Sequence, residues 1–425
     1  MPNPTRHEGA GLAGLRRVVA VLSRPPLREY FAGRVCATAS AWTFRVTSGW
    51  TVWELTQSPA MLGIGVFLLL TPQMLLAPLA GVAADRHDKT AVLALAHLAS
   101  GVVQAIVAIL FFTGQLTIGT LFPLLVLLGA ATAMDQVAAK TIVGALVDEE
   151  ELATAITLNA VIYNVAGFIG PALAGVAIAQ LNVGAGFVCA AALSWLFVYA
   201  LSRVPPIPPD APAGATRPSF VDDFSEGLRY AFNDPLLKLL LALHLASASL
   251  GRPFIEFLPA LVSVLFEGGA GHLATLTSTV GVGSVVGGLW LAQRDHRRGM
   301  LAVVLRGMAA VTAALIAFAW NPVYWLALVL AFVAGFGMIT RAAAIQTIIQ
   351  YEAVRGMRGR AISFYGLLLN AGSILGSLVI GFFAELVGVQ VALTLSVGAA
   401  LLVWQALRNP LTRAMNARLA SRILR

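Results

Sequence analysis
Six ionisable side chains sit well inside apolar stretches of this chain: Arg34, Arg45, Asp135, Arg252, Glu256 and Arg341. Each stretch is long enough to cross a bilayer. A charge at the centre of a membrane helix costs roughly 3 kcal/mol even on permissive insertion scales, so it is kept where it meets a partner, water or a ligand. Such a set can carry a proton, bind a charged solute or pair internally. Asp135 and Glu256 are the proton-carrying candidates, Asp135 first. Whether a buried carboxyl holds a proton depends on desolvation set against any nearby guanidinium, a balance that conformation can change. Arg45, Arg252, Arg341 and Trp42 are candidates to line a substrate cavity. Glu256 follows Arg252 by four residues, which puts both on one helix face, where they can neutralise each other. Arg45 is then left to bind an anion or to reach Glu256. Arg34 lies nearer the end of its stretch and is expected to snorkel toward water.

Two of these residues share one place in a repeat. Shifting the chain by 206 residues aligns Asp135 with Arg341, Asn164 with Asn370, Gly129 with Gly335, Gly170 with Gly376 and Gly175 with Gly381. An acid in one copy thus answers a base in the other. Asp135 either couples protons or forms a lasting bridge to Arg341 that holds the two copies together. Asn164 and Asn370 are expected to hydrogen-bond across the interface between copies. His97 and His244, also within apolar stretches, are expected to be satisfied buried histidines.

The elements that must position these residues are membrane helices. Only 11% of the 425 residues are charged and 58% are hydrophobic, whereas soluble domains carry about a quarter charged residues. A span needs roughly 20 apolar residues. Spans fall near 28–53, 62–84, 90–113, 118–141, 154–180 and 185–203, then near 236–262, 272–293, 300–319, 323–347, 361–385 and 388–408. The predicted fold is an all-α integral membrane protein, with twelve transmembrane helices in two six-helix pseudo-symmetric halves. The first half covers 28–203 and the second 236–408, between an arm (1–27), a linker (204–235) and a basic tail (409–425). Pro253 is expected to kink the seventh span.

Loop charge orients the bundle. The arm, alternate loops and the tail carry the Lys and Arg residues, while the intervening loops carry none, which predicts both termini in the cytoplasm of a bacterial inner membrane. The formal net charge of +8 is spread beside the spans, which fits anionic headgroups rather than nucleic acid. The linker opens with Pro205-Pro206-Ile207-Pro208-Pro209 and continues into an amphipathic segment with Phe220, Phe224 and Leu228 at helical spacing. Cys36 and Cys189 both fall in apolar stretches and offer no disulfide framework. No phosphate-cradling glycine loop, nucleophile elbow or zinc spacing occurs, so no enzyme activity, cofactor or metal is expected. The expected partners are a small-molecule substrate, protons and membrane lipids, with the chain acting as a monomer.

The loop after the second span reads Gly81-Val82-Ala83-Ala84-Asp85-Arg86-His87-Asp88-Lys89. It resembles the G-x-x-x-D-R-x-x-[RK] signature of the major facilitator superfamily. With twelve spans and the internal repeat, that resemblance covers the chain and implies the superfamily's fold. It also implies that Gly81, Asp85, Arg86 and Lys89 gate one side during alternating access. In the second half Gly288 answers Gly81 at an offset of 207, but Ala292 stands where Asp85 would, so only the first copy can act as an anion latch. Within the superfamily, Gly49-Trp50, Glu54 to Pro59, Asn159 to Gly175, Arg358-Gly359-Arg360 and Tyr365-Gly366 are similar to the branch of the enterobactin exporter and related secretion and macrolide-efflux transporters. Ala41, Ala139 and Gly167 depart from that branch's frequent charges. The superfamily lines its cavity with spans 1, 4, 7 and 10, which here hold all six buried charges. The resemblance implies a proton-antiport exporter of a small amphipathic molecule. The alternatives are an importer or lysolipid flippase of the same fold, or a scaffold that transports nothing.

Overall fold
The computed structural model describes residues 21–208, 220–294 and 299–423. The first half contains α1 (Pro25–Thr56), α2 (Pro59–Arg86), α3 (Lys89–Phe112), α4 (Ile118–Leu146), α5 (Glu149–Gln180) and α6 (Val183–Leu201). The linker contributes α7 (Phe220–Asn233). The second half contains α8 (Pro235–Leu250), a 3₁₀ turn (Arg252–Ile255), α9 (Leu258–Phe266), α10 (Ala270–Ala292), α11 (Met300–Ala319), α12 (Tyr324–Glu352), α13 (Arg358–Val387) and α14 (Val389–Ile423). Every predicted span coincides with a helix except the seventh, which is α8, the 3₁₀ turn and α9 in series. Pro253 lies in that turn and removes a backbone donor, so the expected kink is a true break.

Among the described residues, nine helices are long and apolar enough to cross a membrane by composition alone. The exceptions are α1, α5 and the broken α8–α9 run. α1 and the broken run carry four of the six buried charges, which lower their mean apolarity. Helix starts follow local chemistry. Pro25, Pro59 and Pro235 open their helices, and the Ser58, Asp88, Thr117, Asn182 and Asp234 side chains accept from free N–H groups of the first turn. The amphipathic α7 lies across the foot of α8 at a bend of 106° and packs on α13.

The halves repeat one packing plan. α1 packs on α5 and α6, and α2 on α4, as α8 packs on α13 and α14, and α10 on α12. The halves meet where α2 packs on α13 and α5 on α10. Small residues make these approaches possible: a side chain on Gly63 would strike the Ser377 backbone, one on Gly175 the Ala274 side chain, and one on Gly281 the Gly167 carbonyl.

Apolar packing divides into three clusters with a clear polarity. One is shared by both halves and contains Phe44, Trp53, Leu121, Phe187, Phe257, Leu273, Phe318 and Ile380, all at the end away from the termini. The other two lie at the basic end that carries the termini. One belongs to the first half, with Tyr30, Phe31, Leu93 and Phe197. The other belongs to the second, with Leu240, Ile345, Ile348 and Tyr365. The halves are therefore packed shut at one end and have separate cores at the other. The tail joins the second of these cores: α14 runs through Arg408 without a break, and Leu411 is buried.

Candidate functional site
The two matched charges have different surroundings. Asp135 on α4 does not meet Arg341. Arg34 Nη1 of α1 donates to its Oδ1, and His97 Nε2 of α3 lies 3.0 Å from the same oxygen. The expected Asp135–Arg341 bridge is thus replaced by a cluster closed within the first half. Arg34 is correspondingly a buried ion-pair partner and does not snorkel. His97 stacks edge-on against Phe197 at 4.7 Å between ring centroids.

Arg341 on α12 is only 6% exposed, yet among the described residues its Nε has no hydrogen-bond partner, and its Nη1 donates to Met308 Sδ at 4.0 Å. Gly307 on α11 faces its Cβ, which lets the two helices approach here. Beside it His244 on α8 stacks on Tyr365 of α13 at 3.9 Å with the Tyr365 backbone as its polar neighbour, and among the described residues neither buried imidazole nitrogen makes a well-formed hydrogen bond. That corrects the expectation of a satisfied histidine. Tyr365 Oη donates to the Ala342 carbonyl at 3.1 Å, which fixes its ring.

A third charge site joins the halves. Arg45 on α1 grips Glu256, just past the 3₁₀ turn, side-on: Nε donates to Oε2 at 3.2 Å and Nη2 donates to Oε1. The two-pronged geometry is the strongest form of such a pair. Glu256 therefore takes its partner from across the interface, although Arg252 stands one turn away on its own segment. Arg45 and Arg252 are themselves repeat counterparts at an offset of 207, the shift that also aligns Gly81 with Gly288. Two small clefts flank the pair. Trp42, Gly49, Pro259, Leu273 and Thr277 border the first, and Ser48, Leu62, Leu69 and Leu125 the second. Trp42 also lies 5.8 Å from the Arg45 guanidinium, within cation–π range.

Near the same closed end, Glu385 of α13 caps the start of α2: its Oε2 accepts from Ser58 Oγ at 2.8 Å and from the Ala60 N–H at 3.2 Å. An anion at a helix N-terminus is favoured by the free N–H groups and the dipole. Nothing in the local sequence marks Glu385 for this contact, because it depends on α2 and α13 meeting.

At the basic end the expected loop from Gly81 to Lys89 is mostly helix: Gly81 to Arg86 close α2, and only His87 and Asp88 connect it to α3, which opens at Lys89. Asp88 accepts from Thr90 and Ala91 at the start of α3 and from the Ile207 N–H of the linker. The Lys89 side chain is buried, so it does not reach lipid headgroups, while Arg86 is exposed. The Asp85 and Asn164 side chains lie outside the described residues. Asn370 is half-buried on α13, a helix that packs on α2 and α8. Asp234, at the start of α8, accepts from Arg418 of the tail. Burial pushes its carboxyl up, but the Arg418 hydrogen bond, the Leu236 and Leu237 N–H groups and the Arg418 charge together outweigh this and hold it below the ordinary carboxylate range.

Twelve helical segments in two repeating halves, closed on each other at one end around a cross-half ion pair, define a membrane transporter of the major facilitator type. Residues 18–422 match the transmembrane secretion effector family, and the chain belongs to it. The chain is 23% identical over 371 residues to the staphyloferrin A transporter of Staphylococcus aureus (strain NCTC 8325 / PS 47), covering 85% of this chain and 90% of that one. Its fold matches that of the nucleoside transporter NupG with a TM-score of 0.73 at 15% identity, over 91% of this chain and 100% of that one. It also matches an inward-facing bacterial homologue of the human lysosomal transporter Spinster with a TM-score of 0.71 at 14% identity, over 94% and 98% of the two chains. The protein is a multi-pass integral membrane protein whose family function is the transport of small molecules.

Proposed function
We propose that this protein is a proton-coupled exporter of the bacterial inner membrane, with both termini cytoplasmic. It exchanges protons for a small amphipathic molecule, such as a drug or siderophore, by alternating access. The observation that carries the reading is the Arg45–Glu256 pair, which spans the halves at their closed end between two clefts. Opening that end must separate the pair. A proton on Glu256 cancels the attraction, and its loss restores it, so protonation and closure are linked. Substrate wedged between Trp42, Leu273 and the neighbouring apolar walls separates the same two residues. Proton and substrate then act as alternative occupants of one step, which is the logic of antiport.

Glu256 takes precedence over Asp135 as the proton carrier for a geometric reason. Asp135 is neutralised inside one half, where its charge touches no contact that alternation must break. A siderophore-like substrate gains support from the staphyloferrin A transporter relative, and the export direction from the secretion effector family. The basic end corresponds to the cytoplasm, so the divided packing is an inward-facing state. The protein works as a monomer, with lipid headgroups against its basic loops.

The test is flux in proteoliposomes that hold a pH-sensitive dye, using a fluorescent amphipathic compound chosen because it raises the melting temperature of the purified protein. Glu256→Gln should lose gradient-driven flux at least tenfold and retain exchange of labelled for unlabelled compound. Gradient-driven flux at the wild-type rate in that variant sinks the coupling role. Uptake driven in the opposite sense would make the protein an importer.

A further inference from the structure
The first half provides a countercharge for its buried ion, and the second half provides none that is described. Arg341 is more than nine-tenths buried, its Nε is orphaned, and its nearest polarisable neighbour is a thioether. Arg252 lies within its electrostatic reach, so a second positive charge raises the local potential instead of relieving it. Neither buried nitrogen of His244 makes a well-formed hydrogen bond among the described residues, and its ring lies against the face of Tyr365. Burying an ion without a partner is among the costliest arrangements in a folded chain. A buried guanidinium whose Nε–H has no acceptor among the described residues, with an imidazole beside it, fits an oxyanion.

We infer that the second half holds a binding site for an oxyanionic group of the transported molecule, a carboxylate or phosphate, built on Arg341 with Arg252 and His244. This rests on the transporter reading and deepens it, because it gives the substrate a charge. An oxyanion there accepts from Arg341 in a fork and is shared with Arg252, whose side chain is half-buried beside the path between the halves. Tyr365, tied to the Ala342 carbonyl, holds the His244 ring in place at the back of the site. The site lies about three helical turns from Arg45 along the bundle, on the basic-end side. An amphipathic molecule can therefore seat its anion on Arg341 and extend its apolar body toward Trp42 and Leu273. The acid at the matched position, Asp135, could not bind such a group, and only the second half is charged for it.

The experiment uses the full chain in detergent, with citrate and inorganic phosphate as probes and chloride at equal ionic strength as the reference. In wild type, citrate at a hundredfold excess over its Kd should raise the melting temperature by roughly 5 °C. Arg341→Met should abolish that shift and, with no probe present, should melt no lower than wild type, because it removes an uncompensated charge. Arg341→Lys should retain part of the shift. A response to phosphate alone assigns the site to phosphate-bearing molecules, and a response to citrate alone to carboxylates. If the probes shift wild type and Arg341→Met equally, or shift neither, the inference is overturned. Flux is measured separately. Gradient-driven export of a carboxylate-bearing compound that Arg341→Met leaves unchanged overturns the anion site and leaves the transporter standing. An intact citrate shift in a protein that moves no compound overturns the transporter and leaves the site.

Discussion

Asp135 and Arg341 occupy one position of a duplicated unit, and the two halves handle that position in opposite ways. The first half surrounds its carboxylate with Arg34 and His97, from two other helices of the same half, and packs Phe197 against the histidine. The second half leaves its guanidinium orphaned among Met308, His244 and Tyr365. A duplicated helix keeps its shape when its apolar periodicity is kept, because packing reads the periodicity. The charge on its inner face is free to diverge, provided something neutralises it. In one half that partner is covalently part of the protein. In the other, the proposed partner is an oxyanion of the substrate.

Removing Asp135 breaks this comparison most severely. Asp135→Asn leaves the Arg34 guanidinium buried without its acid, and losing one member of a buried pair costs about 3–5 kcal/mol. Thermal melting of the purified variant should show a fall of many degrees, largely recovered in an Arg34→Gln/Asp135→Asn double variant. Arg341→Met should behave in the opposite sense. Equal destabilisation by both would erase the asymmetry.

The matched glycines test how far the backbones themselves are symmetric. A Cβ on Gly170 would sit 2.5 Å from Trp42 Cβ and 2.7 Å from the Ala39 carbonyl oxygen, on α1. A Cβ on Gly376 would run into the Ser249 backbone, on α8. Each approach brings the fifth helix of a half onto its first. Overpacking of this kind costs about 1–3 kcal/mol. Gly376→Ala should be the more damaging, because its Cβ would overlap the Ser249 carbonyl oxygen more deeply than any contact at Gly170. Denaturation midpoints of the two variants decide it.

The smallest effect concerns the tail, which has no counterpart in the first half. Asp234 is held below the ordinary carboxylate range by Arg418, so its contribution to stability is present above its unfolded pKa of about 4. That contribution is lost as pH falls through the folded value. Asp234→Asn keeps a good helix-capping side chain and should melt slightly lower than wild type at pH 7, with the gap closing as the pH drops below about 4. A gap that is independent of pH would mean the carboxylate charge does not hold the tail.

Much of the scaffold was legible from local features. Apolar run length placed the helices, and the spacing of Gly170, Gly376, Gly175 and Gly381 exposed the repeat, because both depend only on residues near one another in the chain. The partners of the charges were not legible. Arg34 and His97 converge on Asp135 from helices 101 and 38 residues away, and no periodicity encodes which face of α3 meets which face of α4. Lys89 is basic and beside a turn, so its sequence position allows either an acidic partner or lipid headgroups, and only packing around the start of α3 shows that it is buried. The break after Leu250 was foreshadowed by Pro253, because proline acts through its own ring and missing donor.

The sequence by itself determined that this chain is a duplicated bundle of membrane helices with six charges confined to its interior-facing elements. Hydropathy and repeat register are properties of the chain alone. Tertiary structure decided which charges neutralise each other, that Glu256 pairs across the halves with Arg45, and that the halves close at one end and divide at the other. Those outcomes depend on how helix faces meet over distances of a few ångströms. Electrostatic partnership in a low-dielectric interior is set by such distances and not by position along the chain.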